Sequence, residues 1–304
     1  MVSRRVAIIT RTKNRPALLG RAIESVLEQR FEDWVHVIVN DGGAPAEVDA
    51  LVARYRDDYA GRLQVIHNPE SLGMEAASNV GVRHSQSQYL VIHDDDDTWH
   101  PDFLQRCVAY LESPPPVLDT PVAGVVTWSH RIIESFDGSQ AKTLKVEPLN
   151  TWLKEISLYR LAANNPFPPI SFVFSRQALD QLGGFREDLP VLGDWHFHLR
   201  FAAQFEIGLI PELLANYHYR DSADAGIYGN TVTAGEDRHR RYDLLLRNDW
   251  LRADLQAGQL GLGFLVNFVA SVELMNRNVE RLFGTVQRLK SFGPLRWLYY
   301  RLNR

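Results

Sequence analysis

The sequence predicts an α/β fold, with a mostly parallel sheet flanked by helices and followed by a helical appendage. Three observations support this prediction. Short apolar, β-branched runs alternate with helical patterns in the first third of the 304-residue chain. Clusters of polar residues follow three of those runs, and the pattern turns helical from about Gly235 to the end. Strands that alternate with helices are typical of parallel sheets, because each helix carries the chain back to the same edge.

The first half of the chain supplies the parallel strands. Apolar runs predict buried strands at Val6–Thr10, Val35–Val39, Leu63–Ile66 and Tyr89–Ile92. Helical patterns separate these strands, and the first of them opens at Pro16, a residue that suits the first helical turn. The other helical patterns cover about residues 48–55 and 74–84 and the segment that starts at Pro101.

The second half is less regular. Residues 132–169 are expected to be loop-rich, because several prolines interrupt them. Short helices are predicted at Ser175–Leu182 and Asp194–Gln204. The remaining apolar runs predict strands at Val122–Trp128, Ile170–Phe174, Ile207–Ile210 and Leu214–Tyr219.

The composition narrows the class of protein. A net charge of −4 gives no indication of nucleic-acid binding. The single cysteine, Cys107, excludes an intrachain disulfide and a cysteine-based zinc site, and it is expected to be buried on a helix in a reducing cytoplasm. The N-terminal apolar run is too short for a signal peptide, and no window reaches the ~18 apolar residues that span a bilayer. We therefore expect a protein that is neither exported nor membrane-spanning.

Polar residues cluster directly after three predicted strands. These clusters are Thr10–Arg15, Asn40–Gly43 and Asp94–Asp97. In open α/β sheets, ligands bind beyond the carboxyl ends of the strands. The three clusters therefore predict one ligand site at this edge of the sheet.

The run Asp94–Asp97 is the strongest chemical signal. Four adjacent carboxylates after a buried strand repel one another and lose hydration, which a divalent cation would offset. Mg2+ and Mn2+ prefer such oxygen ligands and often add substrate phosphates. The alternative is a solvated acidic turn that caps the helix near Pro101. The buried strand before the run and its place at the ligand edge favour a metal–phosphate role.

Three further residues have both a structural and a functional interpretation. Asp41 precedes two glycines, so it is either a turn residue or an acceptor for a ring N–H such as uracil offers. Asp194 opens a predicted helix, either as its N-cap or as a general base that takes a proton from a hydroxyl. His218 is either a satisfied strand histidine or a metal or phosphate ligand.

Five segments with these residues occur in a fixed order. They are Thr10–Pro16, Val37–Gly42, Asn68–Gly81, Asp94–Pro101 and Leu182–Arg200. Together they resemble the signatures of the family 2 glycosyltransferases of GT-A fold, a Rossmann-like architecture, over about residues 5–220. Each segment is weak evidence alone, and five in the expected order are strong evidence.

The resemblance implies an inverting transferase that uses a nucleotide-sugar donor, with a UDP-sugar favoured, and Mn2+ or Mg2+. Asp194 would be the catalytic base, and Asp96 would be the main metal ligand of a DxD motif. The implied donor-binding residues are Thr12, Arg15, Asp41, Asn79, Asp94 and Asp95, and the implied metal ligands are Asp94, Asp96 and His218.

The resemblance also implies an organisation of the chain. Residues 1–235 would form the catalytic domain, with a nucleotide-binding half to about residue 112 and an acceptor-side half after it. Residues 236–304 would form the helical appendage. The implied acceptor is the hydroxyl of a glycan or lipid-linked glycan, used in surface polysaccharide or glycoconjugate synthesis.

The sequence departs from the family pattern at two positions. Ser78 stands where many members have arginine, and Gly193 replaces the glutamate of a common Glu-Asp pair. These departures leave open the alternative that the chain is an inactive nucleotide-binding or scaffold subunit. The Gln-x-x-Arg-Trp motif of processive synthases is also missing, which favours addition of one sugar at a time.

Two other enzyme classes fit less well. The string Asp94–Thr98 matches the D-x-D-x-T pattern of haloacid dehalogenase-like phosphatases, but that family carries it on its first strand. A sugar nucleotidyltransferase would need a glycine-rich N-terminal loop, and Thr10–Pro16 contains no glycine.

The C-terminal tail is basic and apolar. From Leu274 onward it carries seven Lys and Arg residues against one acidic residue, Glu280. Such a helix lies on an anionic membrane surface, which here would be the inner face of the membrane, or packs against protein, including a second copy in a homo-oligomer. Both alternatives stay open from the sequence.

Overall fold

A mixed sheet with helices around it confirms the predicted α/β fold class. The computed structural model describes residues 4–115, 120–136, 140–220 and 236–291. Within these ranges the strands are β1 Val6–Thr12, β2 Trp34–Asp41, β3 Leu63–Asn68, β4 Tyr89–Asp94, β5 Thr98–Trp99, β6 Val122–Phe136, β7 Ala141–Pro148, β8 Phe172–Ser175 and β9 Glu206–Tyr219. The helices are α1 Pro16–Leu27, α2 Pro45–Ala53, α3 Arg56–Tyr59, α4 Met74–Arg83, α5 Phe103–Glu112, α6 Leu158–Ala163, α7 Arg176–Leu182, α8 Gly193–Ala202, α9 Glu236–Ala257 and α10 Leu262–Ser291.

The strand order places the ends of β1 and β4 side by side. Along the sheet the order is β3-β2-β1-β4-β8-β6-β9-β5, with β7 paired to β6. The strands β1 to β4 are mutually parallel, whereas β8 runs antiparallel to β4. The register of β1 and β4 sets Arg11 beside Asp94. The polar clusters Thr10–Arg15 and Asp94–Asp97 therefore lie next to each other at one edge of the sheet, as the sequence predicts.

Apolar faces hold the helices against the sheet. In α1, the buried face includes Leu19, Ile23 and Val26, and Pro16 occupies its first turn. Helix α4 approaches the sheet more closely, because Gly81 has no side chain. A Cβ at Gly81 would lie 2.4 Å from the Cγ2 atom of Ile9. Cys107 is buried on α5, as predicted.

The prediction for residues 132–169 was partly wrong. Strand β6 continues to Phe136, and β7 pairs with it antiparallel after residue 140. The two strands expected at Ile207–Ile210 and Leu214–Tyr219 form one strand, β9, whose pairing with β6 contains register shifts. A 3-10 turn also replaces the first part of the strand predicted from Ile170, so β8 begins at Phe172. Prolines and polar residues interrupt the apolar runs of these long strands, so the sequence did not predict their full lengths.

The chain groups into two compact units. Met1–Leu161 and Asn165–Leu244 form the first, and Ala162–Asn164 and Leu245–Arg304 form the second. The first unit contains the sheet. The predicted domain boundary after residue 235 stays a prediction. Within the described part of the chain, no helix is both long enough and apolar enough to cross a membrane.

Candidate active site

A cleft lies in the first unit, where β1 and β4 end. Its volume is about 130 Å³. Two arginines and four carboxylates contribute to its lining: Arg11, Arg15, Glu75, Asp94, Asp96 and Asp194. The sequence segments that carry them are far apart, and the parallel strands bring them together.

Arginines accompany the acidic run. The Arg11 guanidinium donates to the Asp94 carboxylate, with its Nε at 3.2 Å, and Arg15 donates to Asp95, also with Nε at 3.2 Å. Arg220, which follows β9, donates to Asp96. Each of these three aspartates therefore has its own cation, which offsets the repulsion among them.

Glu134 of β6 contacts three side chains close to the acidic run, among them Arg220. Its carboxylate accepts hydrogen bonds from Arg21 at 2.9 Å and Arg220 at 2.6 Å, and it lies 2.9 Å from the Nδ1 atom of His218. Burial acts to raise the pKa of Glu134, but the contacts with His218 and Arg21 outweigh it and lower the pKa to about 2. Glu134 is therefore an anion that fixes Arg220 against Asp96.

Two carboxyls of the run have raised pKa values. Burial raises the pKa of Asp95 to about 6, although Arg15 opposes the shift, and the Asp96 charge raises it further. Burial and the Asp96 charge also raise the pKa of Asp97 well above its ordinary value. One Asp97 oxygen accepts the backbone N–H of His218 at 2.8 Å, while the other is buried and has no hydrogen-bond partner among the described residues. Additional positive charge near the run would stabilise the ionised forms of both groups.

Asp194 lines the same cleft as Asp94 and Asp96, in the first turn of α8. It is the second residue of the helix rather than its N-cap, which is Leu192. Its carboxylate accepts from the backbone N–H of Trp195 at 2.7 Å and from the side-chain amide of Asn165 at 2.8 Å. Burial raises the pKa of Asp194, and the Asp94 charge adds to the shift. A raised pKa suits a group that must accept a proton near neutral pH.

Leu192 enters α8 with a left-handed backbone, φ 65° and ψ 14°. A non-glycine residue in this region is strained, and such strain often occurs at functional sites. Leu192 also lines the cleft. The turn therefore holds Asp194 at the cleft at a conformational cost.

Other predicted site residues lie outside the cleft lining. Asp41 accepts four hydrogen bonds, of 2.8–3.0 Å, from Asn68, Ser71, Leu72 and Gly73, so a base N–H would have to replace one of these donors. Burial opposes the shift, but these donors lower the pKa of Asp41. Its nucleoside-binding role stays a prediction.

Asn79, Thr12 and His218 are also engaged within the protein. Asn79 bonds the backbone N–H and C=O of Phe185, at 3.0 and 2.8 Å, and so ties α4 to the turn after α7. The Thr12 hydroxyl bonds Asp95. His218 bonds Thr98 through Nε2 at 2.9 Å, in addition to its contact with Glu134, and burial lowers its pKa. The predicted ligand roles of these residues stay predictions.

The acidic run fits a divalent cation only together with a ligand. Among the described residues, no group of three or more His, Cys, Asp and Glu side chains is arranged to hold a metal ion. Asp94 and Asp96 both line the cleft, however, and Mg2+-type sites often use one or two carboxylates plus substrate phosphates. The residues present therefore fit a cation whose remaining ligands come from a diphosphate.

A family comparison agrees with this geometry. Residues 7–182, more than half of the chain, match the model described as Glycosyl transferase family 2. The chain belongs to glycosyl transferase family 2. An uncharacterized protein from Mycobacterium tuberculosis is 27% identical over 214 residues, which cover 70% of this family 2 chain and 58% of the relative. The chain thus spans about three fifths of the length of the mycobacterial relatives it matches.

Solved structures share the fold of this family 2 chain. The mannosyltransferase PcManGT from Pyrobaculum calidifontis, in complex with GDP-Man and Mn2+, is 18% identical, with a TM-score of 0.58 over 98% of this chain and 84% of that one. S. aureus TarS 1-349, in complex with UDP-GlcNAc, is 15% identical, with a TM-score of 0.57 over 72% and 59%. At these identities the likeness establishes the GT-A fold.

Several charged residues in and around the cleft were not predicted as site residues from the sequence. They are Arg11, Arg21, Glu75, Glu134 and Arg220. Arg11 stands within the first polar cluster, but its pairing with Asp94 depends on strand register. Glu134 lies in the segment expected to be a loop. Arg220 follows the last predicted strand, and that position at a strand end was the one available signal.

Proposed function

We propose that the protein transfers a sugar from a nucleotide diphosphate sugar to an acceptor hydroxyl with inversion at the anomeric carbon. The observation that carries this proposal is one cleft that is lined both by the arginine-paired carboxylates Asp94 and Asp96 and by Asp194. Arg11 and Arg15 lie where they can bind a diphosphate. Asp194 can accept a proton, because its raised pKa places it closer to neutral pH.

The proposed reaction is a single displacement. The acceptor oxygen bonds to the anomeric carbon, while the bond from that carbon to the diphosphate oxygen breaks and the nucleoside diphosphate leaves. Asp194 takes the proton of the acceptor hydroxyl. Arg15 and Arg11 reduce the cost of the negative charge that develops on the leaving group. Asn165 and the Trp195 N–H hold the Asp194 carboxylate in position.

We infer that Asp94 and Asp96 would hold a Mn2+ or Mg2+ ion together with the donor's diphosphate. A bound cation stabilises negative charge on the leaving phosphates. Arg220 and Glu134 keep the Asp96 side chain ordered.

The deciding experiment separates an enzyme from an inactive scaffold. The full chain is incubated with Mn2+ and each of UDP-glucose, UDP-N-acetylglucosamine and GDP-mannose, and released nucleoside diphosphate is measured. Slow donor hydrolysis is expected with at least one donor, abolished by Asp194→Asn or Asp96→Asn. Glu47→Gln, an exposed change on α2, is the matched control. Binding of a donor without any hydrolysis or transfer to glycan acceptors would instead establish a scaffold.

The favoured donor is a UDP-sugar, and a thermal-shift screen tests this choice. A ligand that binds only the folded protein raises the melting temperature according to its affinity. UDP and UDP-sugars should therefore raise it more than GDP and GDP-sugars do, in the presence of Mn2+. A larger shift with GDP-mannose would replace the UDP proposal and leave glycosyl transfer intact.

Helix α10 suggests a partner for the second unit. Its exposed residues Met275, Val279, Leu282 and Val286 follow the alternating spacing of four and three residues that heptad helices use. The charged residues of 262–288 lie at the other heptad positions, and the arginines point away from the apolar stripe: Glu273, Arg277, Glu280, Arg281 and Arg288. An apolar stripe with this spacing is the seam along which the helices of a coiled coil pack. We therefore propose that α10 pairs with α10 of a second copy, at the inner face of the membrane or in the cytoplasm.

Sedimentation equilibrium tests the pairing. Wild type should be a dimer, Leu282→Glu a monomer, and Gln287→Glu, which adds the same charge beside the stripe, a dimer. A monomeric wild type that sediments with phosphatidylcholine–phosphatidylglycerol vesicles would overturn the pairing in favour of the membrane. A monomer that stays in the supernatant would exclude both partners. The basic segment after residue 291 lies outside the described residues.

A further inference from the structure

Glu75 is a buried carboxylate that faces the cleft without a close partner. It lies in the first turn of α4, it is 4% exposed, and it lines the cleft with Asp94 and Asp194. Its nearest cation is the Arg11 Nη1 atom, 3.9 Å from Oε2, which is beyond hydrogen-bond distance. Among the described residues, no hydrogen-bond donor reaches its oxygens. A buried acceptor in this state needs donors from a ligand or from water.

The position of Glu75 depends on the residue at position 193 being glycine, which has no side chain. A Cβ at Gly193 would lie 2.3–2.4 Å from the Cδ, Cγ and Oε1 atoms of Glu75. The Glu75 carboxyl thus fills the space that a side chain at position 193 would otherwise occupy. Glycine at 193 and glutamate at 75 place a second carboxyl next to Asp194, although it comes from a different helix.

Glu75 has little freedom to turn away from the cleft. Glu75 also lines a very small second cavity, whose other lining residues include Phe174, Phe185 and Phe197. A carboxylate that turned toward these rings would lose its remaining hydration. Burial raises the pKa of Glu75 to about 7, and the Asp194 and Asp94 charges add to the shift while Arg11 opposes it.

The charge of Glu75 indicates which part of a donor it can contact. A carboxylate repels phosphate, and the cleft already provides Arg11 and Arg15 for phosphates. Sugar hydroxyls are neutral donors, and a carboxylate can accept from two of them. The space beside Asp194 is also where the transferred sugar must lie if Asp194 activates the attacking hydroxyl.

We propose that Glu75 binds hydroxyl groups of the transferred sugar and so determines which sugar the cleft accepts. This inference rests on the proposed glycosyl transfer. The other role open to Glu75 is structural: an acidic residue in a first helical turn stabilises the helix dipole, and here it also accompanies Arg11. A structural role would not distinguish a nucleotide-sugar from its nucleoside diphosphate.

The test is a comparison of two ligands that differ only in the sugar. Calorimetry measures binding of UDP-N-acetylglucosamine and UDP, and of GDP-mannose and GDP, to the full chain with Mn2+. In Glu75→Gln the nucleotide-sugar should bind roughly 10- to 100-fold more weakly, as expected for loss of a hydrogen bond to a charged group. Binding of the nucleoside diphosphate should be unchanged. Glu47→Gln, an exposed glutamate on α2, is the control.

A second variant displaces the carboxyl without removing it. Gly193→Ala should push Glu75 out of place and give the same sugar-selective loss, whether or not Glu75→Gln folds. Gly20→Ala is its control, because a Cβ there meets only Leu51, at an ordinary 3.6 Å.

The outcomes separate the two proposals. Equal weakening of sugar and sugar-free ligands, or no weakening in either variant, overturns the role of Glu75. A wild type that binds none of these ligands and releases no nucleoside diphosphate contradicts the glycosyl-transfer proposal itself. A sugar-selective loss in both variants, with both controls unchanged, supports the inference.

Discussion

The side-chain amide of Asn165 donates a 2.8 Å hydrogen bond to Asp194, while its oxygen lies 3.0 Å from the Nδ1 atom of His198. Asn165 therefore connects the carboxylate at the start of α8 to a side chain one turn further along the same helix. This arrangement fixes one Asp194 oxygen, and the Trp195 N–H fixes the other. The carboxylate can rotate little, which is what a base that acts in one direction requires.

Replacement of Asp194 directly tests its proposed role as the general base. Asp194→Asn keeps the size and the hydrogen bond from Trp195 but cannot accept the hydroxyl proton. Turnover should fall roughly 100- to 10,000-fold, the usual contribution of a general base, while calorimetry should show nucleoside diphosphate binding within about 2-fold of wild type. Near-normal turnover in Asp194→Asn would show that another group accepts the proton.

Removal of the Asn165 amide should change the pH dependence rather than abolish activity. The hydrogen bond stabilises the ionised form of Asp194, so Asn165→Ala should raise the pKa of that carboxyl further. The acidic limb of the rate against pH would then move to higher pH. A profile that keeps its midpoint, with only a lower plateau, would mean that Asn165 does not act on the base.

The sequence predicted the residues of the acidic run but not the contacts between distant segments. The acidic run follows directly from a buried strand, so Asp94 and Asp96 were found without tertiary information. The contact between Arg11 and Asp94 depends on strand register, which a single sequence does not give. The approach of Glu75 to Gly193 joins two helices more than 100 residues apart. The sequence marks it only through Gly193, which departs from the Glu-Asp pair that the resemblance describes as common.

The missed strands have a physical explanation as well. In β7 nearly every side chain is exposed, so its short alternation of apolar and polar residues at 144–147 does not mark a buried face. Its hydrogen bonds to β6 provide its stability. The later part of β6 carries buried or half-buried polar groups such as Glu134, whose burial depends on Arg21 and Arg220 from elsewhere in the chain. Polar composition there resembled a loop.

The Glu134–Arg220 pair should be important for stability. Both side chains are 1% exposed, so Glu134→Gln leaves a buried guanidinium with less compensation. Breaking one partner of a buried ion pair costs about 3–5 kcal/mol, which urea denaturation would detect as a lower midpoint. The control is Glu212→Gln, whose partner Arg106 is 53% exposed and whose loss should cost under about 1 kcal/mol. Equal midpoints for both variants would contradict this ranking.

Cation and nucleotide should bind cooperatively. Two cleft carboxylates alone provide a weak site, so Mn2+ should bind at least about 10-fold more tightly when UDP or GDP supplies phosphate oxygens. By linkage, Mn2+ must strengthen nucleotide binding by the same factor. Calorimetric titrations in both orders measure this factor. It should disappear in Asp96→Asn and persist in Asp57→Asn, an exposed change on α3. A coupling factor near one in wild type would exclude a shared metal–diphosphate site.

The raised pKa of Glu75 predicts how stability varies with pH. The ordinary pKa is 4.5 and burial raises it to about 7 in the folded protein. Between these values the folded state binds the proton and the unfolded state does not, so this group stabilises the fold at low pH and loses that contribution as pH rises toward 7. A shift of this size corresponds to a change on the order of 3 kcal/mol in the free energy of unfolding.

Urea denaturation of wild type and Glu75→Gln at pH 5 and pH 8 isolates the contribution of Glu75, because other groups titrate alike in both proteins. The free energy of unfolding of Glu75→Gln, relative to wild type, should be higher at pH 8 than at pH 5, and a difference that does not change with pH would show that Glu75 titrates near its ordinary value.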